Sequence, residues 1–506
     1  MPNKFNDYFK IIVKKNASKI AIDTDYSKIT FNELDINSDK ISRVLSYKLK
    51  IKKNDRVCIS SNKEIFNFIL LISCLKIGAS ITFLDSSSPR DRIFNLIYQL
   101  NPKLIISNDV LSKKIRHKFK NIIYTKDELR TLSAKIKNYK INYANTDAIA
   151  YIMFTSGSTG EPKGVPISQK KLLNFAKIAK KELNIDDNDV FSNINPLYFD
   201  NSVFDVYASI LNGCKMIPIE SFDLFSPIEL FKKLKKKKVT IWFSVPTLIS
   251  YLIKFNNWNE KSIPSLKKII FGGEVFAKND LKKIFYKLKK VRFISVYGPT
   301  EGTCICSSYV VSKKDFSKTE MGKYLPLGKK LWKSFKFSLQ NNGKNVKKNN
   351  IIAELLITGE NVASGYLGKK YKDKFFNSSK NKYKSIYTYK TGDLVFIDKN
   401  RNIRFVGRSD NQIKYKGYRI ELEDIQSTIN KINEVNNNLV TFGNREKSQE
   451  ITCWISLKKK IDIKKKISKL LPSYMLPHKF IFVKEFPKNA NGKISRIELV
   501  KNYYDR

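Results

Sequence analysis

From Tyr151 to Pro166 the sequence reads YIMFTSGSTGEPKGVP, and six small residues, Thr155, Ser156, Gly157, Ser158, Thr159 and Gly160, crowd just ahead of Lys163. Hydroxyl donors, glycines free to take positive φ and one lysine make a cradle in which successive backbone N–H groups point at a single anion. The strand-like run AIAYIMF leads into the loop and a helix is expected from Ser168, the setting in which open sheets bind phosphate. The spacing is not GxxxxGK[ST], because the lysine falls six residues after the first glycine. The competing reading is a plain Ser/Gly turn between strand and helix.

Other chemistries find less support. The two histidines, His117 and His478, neighbour no nucleophile, so histidine acid–base catalysis and zinc are not expected. Six cysteines without a CxxC pair suit a reducing cytoplasm. The formal charge of +49 raises the alternative of a basic nucleic-acid-binding protein. The excess is lysine spread over the whole length, however, and runs such as KKLKKKK, Lys232 to Lys238, read as solvated helix faces. With no aromatic platform or recognition motif, no nucleic-acid partner is expected.

The elements that must position the loop are those of an α/β protein. DRVCIS (55–60), ASITFL (79–84), PKLIIS (102–107) and VTIWFSV (239–245) read as buried strands between amphipathic, lysine-studded helices, which implies layered, largely parallel sheets flanked by helices. Ile65 to Leu84 is long enough to span a bilayer, but Asn67, Lys76 and Gly78 interrupt it, so a buried helix, turn and strand are expected and no membrane span. Near residue 408 the pattern changes to strand, polar turn, strand and acid-started helix. This divides the chain into a large domain, 1–408, and a small α+β domain, 409–506.

The order of residues in TSGSTGEPKGV resembles the phosphate loop of adenylate-forming enzymes, the superfamily of acyl-CoA synthetases, firefly luciferase and nonribosomal peptide synthetase adenylation domains. SVYGPTEGT (295–303), YKTGDLV (389–395), VGRSDNQIKYKGYRIELEDI (406–425), LPSYMLPHKF (471–480) and NANGKISR (489–496) resemble further motifs of that superfamily, in its order and spacing. The resemblance implies its fold, with the small C-terminal domain as a mobile cap. It also implies its reaction: a carboxylate joins the α-phosphate of ATP, pyrophosphate leaves, and a thiol then takes the acyl group.

It further implies roles for single residues. Thr155 to Gly160 and Lys163 would hold the β- and γ-phosphates. Within Ser295, Val296, Tyr297, Gly298 and Pro299, Tyr297 would stack on adenine. Thr300 would touch the α-phosphate, and Glu301 would hold Mg²⁺ against the triphosphate. Asp393 would accept the ribose hydroxyls, with Arg408 as a further ribose or phosphate contact. Lys493 would bridge the attacking carboxylate and the α-phosphate, and Asp410 would be the hinge on which the cap turns.

Substrate class follows from LYFDNSVFDVY, 197–207. By resemblance, Asp200 occupies the position of the aspartate that pairs with an amino acid's ammonium; acyl- and aryl-CoA ligases, the alternative within the superfamily, usually lack that acid. Taken alone, Asp200 also reads as a helix N-cap. Asn201, Phe204, Phe271, Val296, Cys304 and Ile305 would line the side-chain pocket, and two phenylalanines there would favour a small aliphatic amino acid. SVFDVY, VTIWFSVPT, IIFGGEVF and YLPLGKK resemble free-standing D-alanine–carrier protein ligases, while Gly272 and Cys304 depart from them, so chirality and side chain stay open. The sequence ends ten residues after Arg496 without a serine motif for phosphopantetheine, so a separate carrier protein bearing that arm is the expected acceptor.

Overall fold

The computed structural model describes residues 2–157, 161–255, 258–317, 324–346, 348–368, 374–378, 386–445, 448–459, 461–484, 486–487 and 499. Ser158, Thr159, Gly160 and Lys493 lie outside the described residues. The chain falls into two compact units. One is built from Met1–Ser86, Leu100–Phe154 and Gly164–Ser409, the other from Ser87–Gln99, Thr155–Lys163 and the chain from Asp410 onward.

The first unit carries two mainly parallel sheets. In one, strands Arg292–Tyr297, Lys268–Gly272, Ile241–Ser244, Val190–Asn193, Lys215–Pro218 and Ile20–Asp23 run parallel in that order, with Ser307–Val310 and Lys28–Thr30 antiparallel at the two edges. The other runs Ile123–Tyr124, Leu104–Ile106, Arg56–Ser60, Ser80–Leu84, Ile149–Thr155, Lys163–Ser168, and its first five strands are parallel. The near-continuous apolar runs of these strands reflect burial on both faces. The third sheet departs from the parallel expectation: Phe335–Asn341, Ala353–Gly359, Tyr387–Ile397 and Ile403–Arg408 pair antiparallel. Strand Phe335–Asn341, FKFSLQN, alternates rather than running apolar throughout, as a strand does when one face of its sheet is less covered.

The segment that is long enough for a membrane folds as helix Ile65–Ile77, a turn and strand Ser80–Leu84. Gly78 closes the helix at φ 79°, in the left-handed region where a side chain is strained, and the chain reverses there. Lys76, fully buried, is held by Asp35 at 2.7 Å and Asp39 at 2.6 Å, which is how a lysine survives inside this helix. Among the described residues no helix is long and apolar enough to cross a membrane.

In the second unit, hairpin Gln412–Tyr415 and Tyr418–Glu421 leads into helix Leu422–Asn430. Strands Val435–Arg445, Ser448–Leu457 and Lys479–Phe482 form a sheet over a core that includes Ile425, Ile429, Val440, Ile451 and Ile467.

Candidate active site

In the first unit, three acids far apart in sequence are each fixed by a donor from another element. Strand Arg292–Tyr297 delivers Tyr297, and the tight turn Thr300–Gly302 follows it. This is the carboxyl end of a parallel strand, where open α/β sheets form their binding crevices. Thr300 Oγ1 donates to Asp200 at 2.5 Å. Asp200 is half-buried and precedes the short helix Asn201–Val203, but its side chain makes no capping bond, so the N-cap reading falls away. Next in the turn, Glu301 is fully buried and accepts from the Tyr366 hydroxyl at 2.6 Å.

Asp393 lies on strand Tyr387–Ile397, opposite Arg408 in register. One of its oxygens accepts from Tyr297 at 2.6 Å, the other from Arg408 at 2.5 Å. Burial first, and then the Asp393 charge, push the Tyr297 phenol well above its usual range, so it stays a donor at any physiological pH. Each carboxylate oxygen can accept two hydrogen bonds, which leaves Asp393 acceptor capacity for a diol. Ser295 is half-buried, Val296 buried, and Gly298 and Pro299 complete the turn.

The expected pocket residues are drawn from two hydrophobic clusters. Phe204 packs against Phe191 and Phe243 in one hydrophobic cluster. Phe271 stacks edge-on with Phe276 in a separate cluster. Val296, Cys304 and Ile305 belong with Phe204. Burial raises the Cys304 thiol well above its usual range, and the nearby Asp200 charge raises it further, so the thiol keeps its proton.

In the second unit, Ser156 is buried, donating to the Arg419 carbonyl at 2.7 Å and accepting from the Glu421 amide at 3.1 Å. Gly157 tolerates no side chain: a Cβ there would sit 1.9 Å from the Glu161 carbonyl oxygen. Lys163 is buried and begins strand Lys163–Ser168. That strand stands between the loop and the helix expected from Ser168. The loop joins two strands, and helix Gln169–Glu182, capped by Ser168, comes only after the second. Asp410 is exposed and is the first residue of the second unit's C-terminal stretch.

Sequence reasoning passed over Tyr366 and Thr391. Tyr366 fixes Glu301; the Thr391 hydroxyl accepts from the Asp393 amide at 3.0 Å and its carbonyl from Arg408 at 3.1 Å. Thr391 stood within the quoted YKTGDLV, whereas nothing local marks Tyr366.

A family model described as AMP-binding enzyme matches residues 9–367. The chain belongs to this family. It is an AMP-forming ligase that uses ATP. It is 28% identical over 507 residues to D-alanine--D-alanyl carrier protein ligase of Bacillus licheniformis, covering 98% of this chain and 99% of that protein. It is 29% identical to bacitracin synthase 1 of the same organism over 97% of this chain, which spans only 9% of that synthase. Among solved structures, o-succinylbenzoate CoA synthetase from Bacillus subtilis aligns with TM-score 0.85 at 20% identity over 100% of this chain and 99% of that one. The Vibrio cholerae adenylation domain AlmE, in complex with glycyl-adenosine-5'-phosphate, aligns with TM-score 0.80 at 18% identity over 100% and 98%. At these identities the solved structures speak for the fold alone.

Magnesium is the general requirement of such ATP-using enzymes, and the residues fit it in one way. Among the described residues no cluster of three acids, histidines or cysteines forms a metal cage. Glu301, a single buried carboxylate, is the kind of ligand Mg²⁺ takes when nucleotide phosphates and water supply the rest.

Proposed function

We propose that this enzyme activates an amino acid with ATP and passes it to the phosphopantetheine thiol of a separate carrier protein, D-alanine being the first candidate substrate. The observation that carries the proposal is Asp200, a half-buried acid tied to Thr300 in the turn that also bears Glu301. An acid placed there meets an ammonium group while the same substrate's carboxylate faces the nucleotide. The curated ligase relative, matched along nearly its whole length, supports the carrier-protein acceptor.

In the first step a carboxylate oxygen of the substrate attacks the α-phosphorus. The new P–O bond replaces the bond to pyrophosphate, which leaves with its electron pair. In the second step the carrier thiol attacks the carbonyl carbon, a C–S bond replaces the C–O bond to AMP, and the thiol proton passes to solvent. Because anion meets anion in the first step, neutralisation and alignment supply most of the acceleration. We assign the β- and γ-phosphates to Thr155–Gly160 and Lys163, adenine to Tyr297 within 295–299, the α-phosphate to Thr300, the ribose to Asp393 with Arg408, and Mg²⁺ to Glu301. Asn201, Phe204, Phe271, Cys304 and Ile305 are assigned to the side-chain pocket. Lys493 is assigned the bridge between carboxylate and α-phosphate. Domains 1–408 and 409–506 are assigned a hinge at Asp410, which its exposed position supports. The reaction is placed in the cytoplasm, where ATP is abundant; the six free, buried cysteines suit that compartment.

ATP–pyrophosphate exchange over a panel of D- and L-amino acids tests the proposal. Exchange with small amino acids, D-alanine foremost, is expected, and exchange with a fatty acid alone would overturn it. Asp200→Asn, which removes the charge but keeps a hydrogen-bond acceptor for Thr300, is expected to raise the KM for the amino acid at least about thirtyfold, consistent with about 2 kcal/mol or more for a desolvated charge pair. The KM for ATP should stay within about threefold.

A further inference from the structure

Five residues after Asp200, in the same stretch, lies a second acid with a different environment. Asp205 sits in the π-helical turn Phe204–Ala208 and is fully buried. Turns of this kind interrupt a helix at a cost and recur at functional sites. One Asp205 oxygen, Oδ2, accepts three hydrogen bonds: from the Asn195 amide at 3.2 Å, from Asn195 Nδ2 at 2.9 Å and from Asn193 Nδ2 at 3.2 Å. Asn195 Nδ2 also donates to the Phe243 carbonyl at 3.1 Å, on the neighbouring strand. The carboxyl end of strand Val190–Asn193, from which the turn departs, is held a second time. Lys63 Nζ, equally buried, donates to the carbonyls of Asn193 at 2.7 Å, Ile194 at 2.9 Å and Ile219 at 2.6 Å.

We infer that Asp205 is a positioning residue for amino-acid recognition, pinning the base of the turn 195–200 so that Asp200 is presented at a fixed place beside Thr300. The inference rests on the amino-acid reading of Asp200. The chain leaves strand Val190–Asn193, turns through Asn195 and Asp200, and returns as helix 201–208; Asp205 ties the return to the departure. Asp200 itself lies farther along that loop and accepts from Thr300, which lies outside it. A loop of this shape swings about its base, so loosening the base displaces the tip most, and misplacement of a binding group by about 1 Å is costly. Burial pushes the Asp205 carboxyl up to about 7, against the Asn195 hydrogen bond and then the Lys63 charge, and Oδ2 accepts from its three donors whether or not Oδ1 carries a proton.

The test is steady-state exchange kinetics on the full chain with the amino acid that wild type activates best. Asp205→Ala is expected to raise the KM for that amino acid at least tenfold while the KM for ATP stays within threefold. Asp205→Asn, which keeps an oxygen for the three donors, should return most of the loss. If Asp205→Ala does not fold by circular dichroism, Asn195→Ala carries the test, with a rise of about fivefold in the amino-acid KM alone, the fold-change for about 1 kcal/mol. Equal rises in both KM values, no change in either, or failure of both variants to fold would overturn the inference and assign the cluster to stability. A wild-type enzyme that shows no amino-acid-dependent exchange sinks instead the reading on which the inference stands.

Discussion

The polar centres of the two units are held together in different ways. In the first, the bonds that fix Asp200, Asp393 and Glu301 join side chains 100, 96 and 65 residues apart. In the second, the hairpin is laced by short-range bonds: Gln412 to Glu421 at 2.5 Å and Arg419 to Gln412 at 2.7 Å, nine and seven residues apart. Longer ties reach it too: Ser156 bonds the hairpin across 263 and 265 residues, and His478 bonds Tyr415 across 63. Long-range side-chain bonds exist only once the surrounding sheets are assembled, so the acids of the first unit are as rigid as its core. A locally laced hairpin keeps its own shape whatever surrounds it, which suits an element that must act as a body.

The sharpest way to break the first arrangement is Asp393→Ala. It removes the acceptor assigned to the ribose and strands a nearly buried Arg408 without its carboxylate. Breaking a buried pair from one side costs about 3–5 kcal/mol. Exchange at fixed ATP is expected to fall at least about a hundredfold, with a lowered melting temperature. If activity fell while stability held, the Thr391 carbonyl that also accepts from Arg408 would suffice to hold it, and the rigidity argued for this unit would be local only.

Ser156→Ala tests the longest of these ties in the second unit. Its hydroxyl both donates to Arg419 and accepts from Glu421, so its loss leaves two backbone groups of a buried strand end without that partner. A penalty of about 1–2 kcal/mol is expected. Read by amide hydrogen exchange, Glu421 should exchange at least about tenfold faster while amides in helix Leu422–Asn430 change little. Uniform acceleration through the unit would mean that the hairpin is not a body in its own right.

Much of this was legible in residue order, and the exceptions have physical causes. Helix, turn and strand across Ile65–Leu84 follow from apolar length and a glycine, because buried elements announce themselves by composition. Strand Lys163–Ser168 was hidden by Pro166, which speaks against a strand; the strand lies at the edge of its sheet, where a missing N–H is tolerated. Strand Val435–Arg445 carries three consecutive asparagines, Asn436 to Asn438, and is held by pairing along nearly its full length with Ser448–Leu457, so tertiary context overrides weak propensity. In the site, motif residues such as Asp393 and Thr300 stood out through the family resemblance. Tyr366 did not, because a tyrosine that reaches a glutamate 65 residues away leaves no local pattern. Phe204 and Phe271 looked alike in sequence and lie in different hydrophobic clusters, since parallel strands and the helices covering them divide the core in ways composition does not encode.

The smallest effect falls on His478, in the second unit. Its Nε2 pairs with the Tyr415 hydroxyl at 2.9 Å, and its Nδ1 accepts from the Ile451 amide at 3.0 Å. An Nδ1 that accepts cannot also carry a proton, so this tautomer ties the hairpin to the sheet only while the ring is neutral. Burial first, and then the Lys416 charge, hold the ring below its ordinary value of 6.5. A base with a lowered folded value binds its proton more weakly in the folded state than in the unfolded one. Its contribution is therefore present above about pH 6.5 and lost as the pH falls from there toward the folded value. The ring is largely exposed, so solvent screening keeps the effect small. Thermal melts between pH 7.5 and pH 5 should show a wild-type decline that His478→Gln flattens, with little change in exchange activity at pH 7.5. Parallel curves would show that the His478 tie adds nothing to the hold on the hairpin, and the contrast between the two units would then be sharper than drawn.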